Sequence, residues 1–238
     1  MSYLDFDRLD AIDTRAFQAQ KPFPFANPGG LLHQAAYQRL LDTLPDVALF
    51  DEDFGRPRKF GQECHDRYNL EYREGVDVST PWRDFIAELR GDRYRAFVAR
   101  LFGQRRFQLR FHWHYAPTGC WVSPHCDSQR KLGSHLFYLN SSQAWDPAWG
   151  GQTVALDDGG LFSHDSGPAV GDFEGSVEAK CLDNRSFIFR RTPHSWHYVK
   201  KIQCPEGLLR KVFIVVVDDR RALQRVLSGR RTRSVDSY

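Results

Sequence analysis

The pattern of apolar and polar positions changes character near residue 105. Between Leu31 and Leu44, apolar side chains at Leu32, Ala35, Ala36, Leu40, Leu41 and Leu44 approximate the spacing of an amphipathic helix, and Pro45 stops it. A second helix is expected from Ser79 or Thr80 through "STPWRDFIAELRGDRYRAFVARLFG", with Thr80 as N-cap and Pro81 at the first helical position. Both helices are expected to pack outside the core.

From Arg106 onward the chain breaks into short β-rich runs separated by Gly, Pro, Asn and Asp. The runs are "RFQLRFHWHYA", "HLFYLN", "GQTVALDD", "EAKCLD", "RSFIFRR", "WHYVKKI" and "LRKVFIVVVDD". Alternation places Leu109, Phe111, Trp113 and Tyr115 on one face of the first run and Arg110, His112 and His114 on the other. The apolar row is read as the inward one, which leaves the "HWH" histidines outside. By the same rule Ser134, Leu136 and Tyr138 oppose His135 and Phe137, so His135 is expected away from any metal.

Helices first and strands afterwards predict a mainly β fold with flanking helices: a double-stranded β-helix (jelly roll) core buttressed by N-terminal helices. A chain of 238 residues fits one such domain, with residues 1–105 as helical support, 106–219 as the core and 220–238 as a basic tail.

Charge sharpens only the tail. Residues 220–238 hold six arginines and one aspartate, so they carry +5 of a formal +3 and leave the remainder at −2. No RNP, zinc-finger or helix-turn-helix pattern accompanies those arginines, so nucleic acid is not an expected partner. The start "MSYLDFDRLDAIDT" lacks the basic flank and apolar stretch of a leader, and "VFIVVV" is far too short to span a bilayer. Five scattered cysteines (Cys64, Cys120, Cys126, Cys181 and Cys204) without a CxxC suit neither a disulfide framework nor a zinc ribbon, and a reducing cytoplasm is the expected setting.

Candidate chemistry begins with "WVSPHCDSQRKLGSHLFYLN", residues 121–140. His125 and Asp127 are two apart, so in extended chain both point to one face while Cys126 points away. A third ligand is available in "RTPHSWHYVKKI". His197 opens the run that continues as Val199, whereas His194 follows Pro193 in a turn, so His197 is the expected ligand. Two imidazoles and a carboxylate leave open coordination positions, a set that suits non-haem iron(II), zinc or manganese.

Arg210 narrows the choice. It heads a row with Val212, Ile214 and Val216, and a guanidinium at the head of an inward apolar row is shaped to hold a carboxylate bidentately. A dicarboxylate with its far end there and its near end on the metal is 2-oxoglutarate.

"HCD" at 125–127, "FYLN" at 137–140, "WGG" at 149–151, "SWHYV" at 195–199 and Arg210 together resemble the Fe(II)/2-oxoglutarate-dependent dioxygenase superfamily, in its prolyl-hydroxylase-like branch. The resemblance implies that His125, Asp127 and His197 bind iron and that Arg210 and Tyr138 bind the distal carboxylate of 2-oxoglutarate. Tyr115 would line the same pocket. It further implies an oxygenase that hydroxylates an unactivated C–H bond of a peptidyl side chain or small metabolite, using O2, releasing succinate and CO2, with ascorbate as a reductant. Asp127 argues against halogenation, since halogenating relatives replace that carboxylate.

Two other readings stay open on the residues. One is a zinc- or manganese-dependent jelly-roll enzyme, which would leave Arg210 and Tyr138 unexplained. The other is a non-catalytic jelly-roll binding module with Trp145, Trp149 and Trp196 as stacking surfaces. A cupin-type site at His112 and His114 lacks its following Glu. His33, His65 and His164 read as surface or hydrogen-bonded histidines, and Gly150 and Gly151 as a turn or bulge. The expected substrate rim comprises residues 60–72, with Asp66, Arg67 and Tyr68, 141–149, and a lid-like stretch at 157–175.

Overall fold

The computed structural model describes residues 2–220, and its first hundred residues hold strands as well as helices. Helices α1 (Phe6–Asp10) and α2 (Thr14–Ala19) each open on an aspartate whose carboxylate accepts a first-turn amide, Asp5 from Arg8 and Asp13 from Ala16. Strand β1 (Phe25–Ala26) precedes α3 (Gln34–Leu41), a shorter helix than the apolar spacing over 31–44 suggests. Strands β2 (Asp51–Asp53) and β3 (Arg67–Glu71) follow.

The long helical run after Ser79 is two helices, α4 (Thr80–Arg90) and α5 (Asp92–Phe102). Gly91 separates them in extended backbone, at φ −67° and ψ 159°. Pro81 sits in the first turn as expected, but Ser79, not Thr80, occupies the N-cap position. Its hydroxyl donates to the Thr43 carbonyl of the preceding loop instead of capping the helix.

The remaining strands are β4 (Phe107–Ala116), β5 (Val122–His125), β6 (Lys131–Tyr138), β7 (Thr153–Asp157), β8 (Gly175–Glu178), β9 (Ser186–Arg190), β10 (His197–Val199) and β11 (Arg210–Asp219). They form a seven-stranded sheet in the order β1-β9-β6-β11-β4-β3-β2 and a four-stranded sheet in the order β5-β10-β7-β8. From β4 the chain alternates between them: large, small, large, small, small, large, small, large. That alternation is a double-stranded β-helix.

Two segments depart from expectation. "EAKCLD" is mostly irregular because β8 ends at Glu178, and β5, hidden in the polar stretch "VSPH", is a true strand. The N-terminal hundred residues, expected to be helical support, also supply β1, β2 and β3 to the large sheet. Apart from Arg220, the basic tail lies outside the described residues. No helix among the described residues is long and apolar enough to cross a membrane.

Both faces of the large sheet are covered, and this overturns one face assignment. β11 pairs with β4 so that Lys211, Phe213 and Val215 stand opposite Tyr115, Trp113 and Phe111. This row packs against the helices, where Trp113 meets Trp82 at 5.1 Å and Phe213 meets it at 5.0 Å. Val212, Ile214 and Val216 stand opposite His114, His112 and Arg110 and face the small sheet. Hence the "HWH" histidines point into the jelly roll, and Tyr115 points out of it. His135 lies on the helix side as expected, its Nδ1 2.9 Å from the Tyr94 hydroxyl.

Candidate metal centre

β5 and β10 are neighbours in the small sheet, with His125 directly opposite His197. Cross-strand partners share a face, so the two imidazoles stand 4.3 Å apart between ring centres. Asp127, two residues beyond His125, turns to the same side. One nitrogen or oxygen from each of His125, Asp127 and His197 lies within 4.8 Å of the others.

The two histidines are oriented by the same device. His125 Nδ1 lies 3.0 Å from the Ser123 carbonyl, and His197 Nδ1 lies 2.9 Å from the Ser195 carbonyl. A carbonyl can only accept, so each Nδ1 carries the proton and each Nε2 presents a lone pair, the arrangement that fixes a metal-binding histidine. Burial holds both imidazoles below their ordinary pKa and therefore neutral.

Asp127 is buried too, and Lys131 Nζ donates to its Oδ1 at 2.7 Å. Burial favours the neutral acid, but the Lys131 ammonium and the adjacent imidazoles outweigh it and hold the carboxyl well below the usual range. Two neutral nitrogens and one carboxylate converging on a point fit a divalent cation with open positions. His194, the competing candidate, is tied instead to Asp158 Oδ2 at 2.8 Å.

These ligands open on a cavity of about 410 Å³ between the two sheets. Arg210, at the start of β11, is 8% exposed and reaches into it. Its Nε donates to the Gly151 carbonyl, while Nη2 is buried with no partner, and among the described residues no carboxylate is paired with the guanidinium. Such an orphaned fork is costly unless a ligand satisfies it. Gly151, at φ +85°, is needed here, because a Cβ would lie 2.8 Å from Arg210 Cδ.

Tyr138 lies beside Arg210, with the guanidinium carbon 5.8 Å from its ring centre and its hydroxyl donating to Thr153 Oγ1 at 2.8 Å. Tyr115 is elsewhere. Its ring stacks on Phe50 at 4.3 Å and its hydroxyl donates to the Pro45 carbonyl, on the far side of the large sheet. The expectation that it lines the pocket is corrected by the β4–β11 register.

Several cavity residues escaped the sequence pattern. His112 and His114 line the wall, and burial and Arg110 push His112 down to about 4. His65 packs on His125 at 4.7 Å between ring centres, with Nε2 3.0 Å from Ser123 Oγ. Burial, then Arg58 and Arg67, lower its pKa to about 3. No spacing could reveal His65, because it arrives on the loop before β3. Of the expected rim trio only Arg67 reaches the cavity: Asp66 caps Gly55, and Tyr68 packs on Phe54.

No protein-family model and no curated protein matches the sequence. Solved structures do match. A Pseudomonas putida prolyl-4-hydroxylase is 14% identical, covering 89% of this chain and 99% of that one at a TM-score of 0.61. A Trichoplax adhaerens prolyl hydroxylase, solved with a hypoxia-inducible-factor peptide fragment, is 14% identical over 94% of each chain at 0.63. A 2OG-Fe(II) oxygenase family oxidoreductase from Burkholderia pseudomallei is 15% identical, covering 88% of this chain and 92% of that one at 0.57. The chain therefore has the fold of prolyl-hydroxylase-like 2OG-Fe(II) oxygenases.

Proposed function

We propose that this chain is an Fe(II)- and 2-oxoglutarate-dependent oxygenase that hydroxylates an unactivated C–H bond. The observation that carries this is the pairing, in one cavity, of the His125–Asp127–His197 cluster with the buried Arg210 guanidinium that no protein carboxylate satisfies. His125, Asp127 and His197 would hold the iron, and Arg210, with Tyr138 beside it, would hold the far carboxylate of 2-oxoglutarate. Bound iron, cosubstrate and O2 would together supply the oxidising power, with succinate and CO2 as co-products.

The protein's part is orientation and exclusion. Ser123 and Ser195 carbonyls fix the imidazole tautomers, and Lys131 keeps Asp127 ionised. Leu136, Val212, Ile214 and Val216 form an aliphatic wall that keeps water from the reacting groups. A peptidyl target is supported by the Trichoplax prolyl hydroxylase, which was solved with a peptide fragment.

A zinc or manganese enzyme would leave the orphaned Arg210 unexplained. A stacking module is disfavoured by burial, since Trp145 and Trp196 are 2% and 0% exposed.

The test is an anaerobic titration of metal-free protein with Fe(II) and 2-oxoglutarate, following the visible charge-transfer band of the chelated cosubstrate. The band is expected in wild type and absent in His197→Ala. In Arg210→Ala it should require at least about tenfold more 2-oxoglutarate, the effect of losing a charge-assisted bond of about 1.5–3 kcal/mol. Metal binding without a band overturns the proposal.

A further inference from the structure

The cavity carries more positive charge than the proposed centre uses. Six cations line it (Arg58, Arg67, Arg110, Arg130, Lys131 and Arg210) against one lining carboxylate, Asp127. Lys131 is matched by Asp127, Arg67 by Asp53 at 2.8 Å, and Arg110 by Asp218 at 2.6 Å. With Arg210 set aside for 2-oxoglutarate and Arg110 also paired with Glu71 at 3.4 Å, the two lining guanidinium groups held least tightly by carboxylates are those of Arg58 and Arg130.

Arg58, on the loop between β2 and β3, has no carboxylate within ion-pair distance among the described residues and bonds only the Gln62 amide oxygen, at 3.3 Å. Arg58 is exposed at the cavity edge, near Arg67. Arg130, on the turn between β5 and β6, lies 3.7 Å from Asp218, a carboxylate that Arg110 already holds more closely.

The wall below these arginines is polar in an orderly way. Inward positions of β3 and β4 carry Arg67, Asn69, Arg110, His112 and His114, whereas those of β6 and β11 carry Leu136, Val212, Ile214 and Val216 together with Lys131, Ser134 and Arg210. The His114 ring makes no hydrogen bond among the described residues, which leaves it open to a ligand. The cavity thus has an aliphatic patch, Leu136, Val212, Ile214 and Val216, facing hydrogen-bonding groups of β3 and β4.

Resting on the oxygenase reading above, we propose that Arg58 and Arg130 recognise an anionic group of the substrate, a carboxylate or a phosphate. Asn69 and His114 line the approach, and the aliphatic wall receives the carbon skeleton whose C–H bond is oxidised. Guanidinium forks bind both anions bidentately, so the shared chemistry is an oxyanion held at the mouth away from Arg210.

The test measures binding to the metal-free full chain by ligand-observed NMR. The probes are N-acetylaspartate, O-phosphoserine and the neutral isostere N-acetylasparagine. Wild type should bind at least one acidic probe tenfold or more tightly than the neutral one, and the tighter acid identifies carboxylate or phosphate.

Arg58→Gln/Arg130→Gln should abolish that preference without changing affinity for the neutral probe. Arg58→Lys/Arg130→Lys should restore most of it, and Arg210→Gln should keep it. No preference in wild type, preference surviving the double glutamine variant, or preference lost only in Arg210→Gln overturns the proposal. No iron is present in this measurement, so failure of the charge-transfer test strikes the oxygenase reading, and failure here with that band intact strikes the substrate class alone.

Discussion

The two faces of the large sheet are both covered, one by helices and one by the small sheet, yet they carry opposite chemistries. The helix-facing side stacks Phe111, Trp113, Phe137 and Phe213 against Trp82 and Phe85. The face turned to the small sheet carries Arg110, His112, His114, Ser134 and Arg210 among its aliphatic residues. The difference shows that in this fold burial marks the core on one face and the candidate site on the other.

The largest effect that would sharpen this contrast is Trp113→Ala. Trp113 is fully buried on the helix side, and its truncation should cost about 3–5 kcal/mol of unfolding free energy in denaturant titration. Metal affinity of the folded protein should stay unchanged. A large loss of affinity in protein that remains folded would break the division between the faces.

A middle-sized effect separates the faces by pH. His135 is buried on the helix side and burial lowers its pKa from 6.5 to about 3, so the folded protein keeps it neutral where the unfolded chain would protonate it. That contribution to stability is whole above about pH 6.5 and is lost as pH falls towards 3. Tyr94→Phe/His135→Leu, which removes both partners of their hydrogen bond, should flatten the acid limb of the stability curve by about one proton. The change is roughly 1.4 kcal/mol per pH unit, and an unaltered limb would show that His135 does not differ between the two states.

The smallest effect compares two tyrosines. Tyr138→Phe should raise the 2-oxoglutarate requirement several-fold, about 0.5–1.5 kcal/mol for one hydrogen bond. Tyr115→Phe should leave it unchanged and lower stability by about 1 kcal/mol, through the lost bond to Pro45. Reversed results would restore Tyr115 to the pocket and exclude Tyr138 from it.

Much of the site was legible because its signals are local. His125 and Asp127 are two apart in extended chain, His197 opens a strand, and Arg210 leads an alternating row, local features that the resemblance then joined into one expected site. The jelly roll followed from the change of period near residue 105. Strand β5 was missed because "VSPH" has little apolar content, and β1 to β3 because strands of two, three and five residues leave little periodic trace. His65 and Arg58 were missed because a loop carries them to the cavity from a distant part of the chain.

The sequence by itself determined which residues of each strand stand together, since side-chain alternation is a property of the extended backbone. It could not determine which row faces the cavity between the two sheets. Phe111, Trp113 and Tyr115 form an apolar row, and so do Val212, Ile214 and Val216, and apolarity marks a row as buried without saying under what. Only the pairing of Tyr115 with Lys211 and of His114 with Val212 made the decision, by putting the two rows on opposite sides of one sheet. Tertiary structure then covered one side with helices and the other with a second sheet, and that is why the histidines of "HWH" line the cavity and Tyr115 does not.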